Sequence, residues 1–188
     1  MGKLVFGMTQ SLDGYVAGVD GGLEVFPPPG VGLFRYFTDL VRGFSGGLYG
    51  RRVYEMLRYW DEDRPDWDAD QREFAAVWRA QPKWIVSRTL TSVGPNATLV
   101  GDDVEAFVRR LKAEVEGDIE VAGPELAGSL TELGLVDEYV LYFRPFVLGR
   151  GTPFFAGARP PLRLAGAHPV GEDAVKLTYV LSDTSNPV

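Results

Sequence analysis

The sequence predicts an α/β fold on a mostly parallel sheet, and three observations carry that expectation. Short apolar runs alternate with amphipathic segments over the first two-thirds of the chain, the pattern of strands joined by crossover helices. Beyond Gly134 the helical spacing stops and apolar runs follow one another, which predicts antiparallel strands added at one edge. The 188 residues, 45% hydrophobic and 24% charged, suit a single globular domain, 1–188, with a substantial core.

The first strand is read at Leu4–Met8. It is too short for a signal-peptide core or a membrane span, which predicts a cytoplasmic protein that does not engage membranes. Asp13-Gly14 marks a turn into the short apolar segment Tyr15–Ala17. From Asp20 to Gly30, glycines and Pro27-Pro28-Pro29 define an irregular stretch, and a loop that long inside a compact domain points to function or disorder. Leu33, Phe34, Phe37, Leu40 and Val41 recur at helical spacing, giving a helix over 31–42. Phe44–Tyr49 is a strand that turns at Gly50 into a helix running to Trp60. An acidic loop over 61–70 precedes a helix at 71–80, and Lys83–Arg88 is the next strand. Residues 91–98 read as a loop. Val104, Phe107, Val108, Leu111 and Val115 mark a helix closed by Gly117. Asp118–Ala122 is a strand, and Pro124 opens a helix buried through Leu126, Leu130 and Leu133. Val136–Phe143 is another strand, 144–157 a Gly/Pro loop, and Leu162–Ala165 and Val175–Leu181 two final strands around Gly171.

Composition removes several functions. A net charge of −7 argues against a general nucleic-acid surface, so any anion site must be a local arginine cluster. With no cysteine and one histidine, thiol chemistry, a histidine triad and a multi-histidine metal site cannot be built. His168, before Pro169, is expected in an exposed loop.

What remains is a constellation at strand ends, where open α/β sheets bind ligands. Gly50-Arg51-Arg52 puts two guanidinium forks in the first turn of a helix, whose unpaired N–H groups favour anions. Gly123-Pro124-Glu125 opens a second helix, and Ser87-Arg88-Thr89 adds hydroxyls and a cation suited to an extra phosphate. One dinucleotide across the sheet edge would use all three. The G-x-G-x-x-G fingerprint is absent after every strand, so binding must take another form.

Six stretches carry a family resemblance: Ser11–Ala17, Gly50–Glu55, Lys83–Leu90, Val121–Leu126, Gly134–Glu138 and Pro145–Pro153. In this order the chain resembles the dihydrofolate-reductase-like family, in the branch shared with the C-terminal reductase domain of the bacterial riboflavin-biosynthesis deaminase/reductase. The resemblance implies a three-layer α/β/α fold, a central sheet of about eight strands with an antiparallel C-terminal edge, and NADPH as hydride donor. It implies that Gly50, Arg51, Arg52 and Val53 contact the phosphates, that Ser87, Arg88 and Thr89 hold the 2′-phosphate, and that Ala122, Gly123, Pro124, Glu125 and Leu126 cradle the pyrophosphate. Thr9, Val16 and Ala17 would face the nicotinamide, and Phe34 and Phe37 would line the substrate pocket.

The departures matter as much. Val53 stands where relatives often carry threonine, and Ala122-Gly123 replaces a glycine pair that relatives join by a cis peptide; a cis bond is expected here at Ala122–Gly123 or Gly123–Pro124. The helix carboxylate of dihydrofolate reductases falls near Phe34, which argues against true dihydrofolate reduction and leaves Glu24 and Asp39 as candidate proton donors. The expected function is an NADPH-dependent reductase of a small heterocyclic, pterin- or pyrimidine-like substrate. One rival is the riboflavin-pathway reductase of a ribosylaminopyrimidine phosphate, which needs a second phosphate site where the chain offers only Arg35 and, nearby, Arg42. The other is a non-catalytic nucleotide-binding scaffold. A homodimer is expected from the resemblance and from the apolar Tyr139–Phe146 strand beside Phe154-Phe155, a large patch if exposed.

Overall fold

The computed structural model describes residues 1–182. In chain order the strands are β1 (Lys3–Ser11), β2 (Tyr15–Ala17), β3 (Gly46–Gly50), β4 (Lys83–Val86), β5 (Ala97–Val100), β6 (Asp118–Ala122), β7 (Glu138–Arg144), β8 (Thr152–Pro153), β9 (Leu162–Val170) and β10 (Ala174–Leu181). The helices are α1 (Val31–Gly43), α2 (Arg51–Leu57), α3 (Ala69–Ala80), α4 (Val104–Glu114) and α5 (Pro124–Glu132), with a 3-10 turn at Arg58–Trp60 extending α2. Eight strands form one sheet in the order β5-β4-β3-β6-β1-β7-β10-β9, and β2 pairs with β8 in a separate ribbon. The six strands from β5 to β7 are parallel; β10 runs antiparallel to β7, and β9 antiparallel to β10.

Strand alternation decides which layer each side chain joins. Leu4, Phe6, Leu48, Ile119, Val121, Tyr139 and Leu141 face Val108 and Leu111 of α4 and Ala127 and Leu130 of α5. Their neighbours in register face the opposite layer: Tyr49, Ile85 and Ala122 pack with Val41 of α1 and Phe74 and Trp78 of α3, while Val5, Val140 and Tyr142 meet Tyr36, Phe37 and Leu40 of α1. Glu120 stands between Ile119 and Val121 and so falls on the α1–α3 side.

Several boundaries differ from expectation. β1 extends to Ser11 because Thr9–Ser11 continue the ladder with β7, and β5 begins inside the stretch read as a loop. β9 runs through His168 and Pro169 to Val170; as an edge strand it tolerates proline, and most of its side chains are exposed, so it lacks the alternation that marks a half-buried strand. His168 is exposed as expected, but on a strand. The apolar patch expected at Tyr139–Phe146 and Phe154-Phe155 does not form: Tyr139, Val140, Leu141, Tyr142 and Phe154 are buried in the chain's own core, with the Phe154 ring 4.2 Å from that of Phe6.

Two long-range contacts fix α1. Its N-cap, Gly30, has no side chain to satisfy the first turn, and the Glu172 carboxylate accepts from Gly32 N–H (2.5 Å) and Leu33 N–H (3.1 Å) instead. Those bonds hold Glu172 below the usual carboxylate value. The β9–β10 turn approaches so closely that a Cβ on Gly171, whose φ is +58°, would lie 2.7 Å from the Leu33 backbone nitrogen. Arg144, buried at the end of β7, donates to the carbonyls of Pro27 (2.5 Å) and Pro28 (3.2 Å) and anchors the loop before α1.

Candidate functional site

Because β4, β3 and β6 are adjacent and parallel, their carboxyl ends meet at one edge. Gly50–Val53, Ser87–Thr89 and Gly123–Leu126 converge there and, with Val16 and Ala17 of β2, line a cleft of about 980 Å³. The approach to α4 (Gly101, Asp102, Asp103 and Val104) forms another wall. Sequence reasoning missed this segment, although Asp103 just before an amphipathic run is a helix-start signal; its carboxylate accepts from Ala106 N–H.

At the glycine–arginine end neither Gly50 nor Gly123 supplies a side-chain cap, so the first-turn N–H groups of α2 and α5 have no side-chain acceptor. Gly123 adopts φ +116°, a conformation that glycine alone reaches without strain, and its Cα side lies against Gly50 and Val53. No peptide bond is cis among the described residues, which corrects the expectation at Ala122–Gly123 and Gly123–Pro124; the chain turns into α5 through the glycine dihedral instead. Arg51 donates to Glu55 (3.0 Å) and to Thr89 Oγ1 (2.7 Å), and Arg52 to Glu125 (3.3 Å). Among the described residues no carboxylate lies within ion-pair distance of Arg88, which is exposed. Ser87 is buried, and its hydroxyl accepts from Thr89 and Leu90 N–H, ordering the loop that presents Arg88.

Next to the cleft lies a second cavity of about 430 Å³, between the sheet and α1. Phe34 and Phe37, expected in a substrate pocket, line this cavity with Trp60, Phe74 and Val41. Thr9 and Ala122, expected at the cofactor, belong to this cavity; Val16, Val53 and Met56 line both, so Val53 stands at the junction of the two spaces. Glu24 and Asp39 line neither: Glu24 is exposed in the loop, and Asp39 is exposed on α1 and pairs with Arg42. Arg42 also pairs with Glu73, and Arg35 with Asp70, all at the surface.

The carboxylate that does line the apolar cavity is Glu120. Burial pushes it above the ordinary value of 4.5, partly offset by its hydrogen bond from Tyr49. Tyr49, fully buried, is pushed well above 10 by burial and by that neighbouring carboxylate. Tyr142 is raised by burial, then by its 3.5 Å contact with Tyr36. A charged residue mid-strand in Asp118–Ala122 was the available signal for Glu120, since buried carboxylates beside a cavity mark functional sites.

The comparisons with known proteins followed the same outline. A family model, the RibD C-terminal domain, matches residues 2–176. The Bacillus subtilis (strain 168) protein YyaP, itself uncharacterized, is 26% identical over 94% of this chain and 94% of its own length. Among solved structures, a Shewanella sp. PV-4 protein assigned to riboflavin biosynthesis superposes with a TM-score of 0.72 at 23% identity, covering 96% of this chain and 99% of that one. Dihydrofolate reductase from Enterococcus faecalis, complexed with NADP(H) and RAB-propyl, gives 0.65 at 14% identity over 96% and 97% of the two chains. At those identities the two structures show the fold, which is dihydrofolate-reductase-like. No described helix is long and apolar enough to cross a membrane.

Proposed function

The chain belongs to the RibD C-terminal domain family, and from that premise we propose that it is an NADPH-dependent reductase of a small, flat heterocycle. The observation that carries this reading is the adjacency of two unlike spaces: a long cleft ending in Arg51, Arg52 and Arg88, and an apolar cavity that meets it at Val16, Val53 and Met56. The cofactor supplies the hydride; the protein's contribution is orientation and electrostatics. Gly50 and Gly123 leave room and backbone N–H groups for a pyrophosphate. Arg88, with no carboxylate partner among the described residues, suits a 2′-phosphate, which an arginine fork binds in pairs of hydrogen bonds. Phe34, Phe37 and Trp60 offer aromatic surface to the substrate ring.

The ribosylaminopyrimidine-phosphate alternative is less well supported, since among the described residues no second arginine cluster lines the apolar cavity. Arg35 and Arg42 line neither cavity and pair with Asp70, Asp39 and Glu73 on the surface, and Arg144, which does line the apolar cavity, is turned to the Pro27 and Pro28 carbonyls. We also propose a homodimer through the long edge strand β9 and its neighbour β10, where Leu164, Val175 and Leu181 are exposed; sedimentation at a single 20.7 kDa mass would overturn it.

The test of the function is an NADPH titration by fluorescence, followed by NADPH absorbance with a panel of pterins, pyrimidines and quinones. Saturable binding and oxidation by a ring compound are expected. No binding at millimolar cofactor would sink the reductase reading, and binding without turnover of any panel member would favour the scaffold.

A further inference from the structure

On the floor of the apolar cavity one hydroxyl meets two acceptors. Tyr49 Oη lies 2.5 Å from Glu120 Oε2 and 3.0 Å from Gln81 Oε1, and a phenol carries a single hydrogen. Gln81 is oriented by its amide nitrogen, 3.4 Å from the Val41 carbonyl; turned over, it would set two oxygens against each other. With Glu120 ionised, Tyr49 donates to Glu120 Oε2 and Gln81 Oε1 is left without that hydrogen; with Glu120 protonated the direction turns over and the network closes, Glu120 Oε2 donating to Tyr49, Tyr49 to Gln81 and Gln81 to Val41.

Among the described residues no cation lies within ion-pair distance of Glu120. The titratable groups facing it are Tyr49 from β3 and Tyr142 from β7, with Tyr36 of α1 behind Tyr142. Arg144 shares the cavity, with Nη1 and Nη2 bound to Pro27, Pro28 and Asp173 and its buried Nε without a partner among the described residues, and Lys83, beside Gln81, donates to the Trp78 and Gln81 carbonyls. Glu120 Oε1 makes no hydrogen bond among the described residues and is not sealed off from the cavity that its residue lines.

We propose that Glu120 determines the specificity of this cavity: held as a neutral acid through Tyr49 and Gln81, it presents Oε1 as an acceptor and selects a flat, uncharged ring bearing an N–H donor. The inference rests on the reductase reading and names the ligand class of its substrate cavity. An anionic ring would bring acceptor against acceptor, and a ring without N–H would leave Oε1 buried and unpaired, which is what makes polar pockets discriminate.

The probes are lumazine and 1,3-dimethyllumazine, the same ring with and without N–H, titrated by tryptophan fluorescence since Trp60 and Trp78 line the cavity. The wild type is expected to prefer lumazine by about tenfold. Glu120→Gln, whose amide can donate to Tyr49 while its oxygen faces the cavity, should keep that preference. Glu120→Leu should abolish it, and so should Glu120→Ala, which makes room for the methyl groups. Infrared difference spectra should show a protonated carboxyl at neutral pH that Glu120→Gln lacks.

Equal binding of the two probes by the wild type, a preference that survives in Glu120→Ala, or absence of the carboxyl band would overturn the proposal. NADPH is titrated on the same variants. A wild type that discriminates between the lumazines but does not bind NADPH would overturn the reductase reading alone, and one that binds NADPH without discriminating would overturn the Glu120 proposal alone.

Discussion

At the glycine–arginine end of the site, Arg51 and Arg52 stand in solvent, each paired with a carboxylate of its own surroundings, Glu55 and Glu125. At the apolar end, Glu120, Tyr49 and Gln81 are withdrawn into the protein and satisfy one another. The first region holds solvated ion pairs and the second a hydrogen-bonded set without a cation, and water can replace a lost partner at the first but not at buried Tyr49 and Gln81. Exposed pairs are therefore adaptable, free to exchange a carboxylate for a ligand phosphate at little cost. The buried set behaves as a unit in which removing one member strands the others.

The largest expected effect tests that unit. Tyr49→Phe should lower unfolding stability by about 1–3 kcal/mol, because Glu120 and Gln81 lose their shared partner; an unchanged urea midpoint would show that the set is not coupled. Next, Arg88→Ala should weaken NADPH about tenfold or more and leave NADH unaffected, read by titration of both cofactors. A third outcome concerns pH. Glu120 is raised above 4.5 in the fold, so its contribution is fully present below that value and is lost as pH rises through the folded value. Wild type should lose stability relative to Glu120→Gln across that rise, and parallel curves in pH-dependent denaturation would contradict the assignment. The smallest effect belongs to the exposed end: Arg52→Ala should leave the thermal midpoint unchanged while weakening NADPH modestly, since its pair with Glu125 is solvated.

The fold was legible where burial imposes a period. Val5 and Phe6 announce a strand because both faces of the sheet are covered and must be apolar, Ile119 and Val121 because they share one buried face, and Leu33, Phe37 and Val41 announce α1 through its buried stripe. β9 and the short β5 were not, since an exposed edge strand and a four-residue strand carry little hydrophobic pattern. The cleft lining at Gly50, Arg51 and Arg52 was legible because glycine and arginine at a strand–helix joint have local meaning. Glu120 was not, because its role depends on Tyr49, 71 positions earlier in the chain. Glu24 and Asp39 were chosen as carboxylates near the pocket in sequence, and folding turned both toward solvent.

The cap that Glu172 places on α1 has a consequence for synthesis. The helix that roofs the apolar cavity leaves the ribosome early, but its first turn is completed by a carboxylate 140 residues downstream, and the preceding loop is held by Arg144. Chains that reach β7 but end before the β9–β10 turn lack the Glu172 cap, and proteases should cut them between Asp20 and Gly30 faster than the finished chain. Release of the last hairpin is the step that closes the pocket.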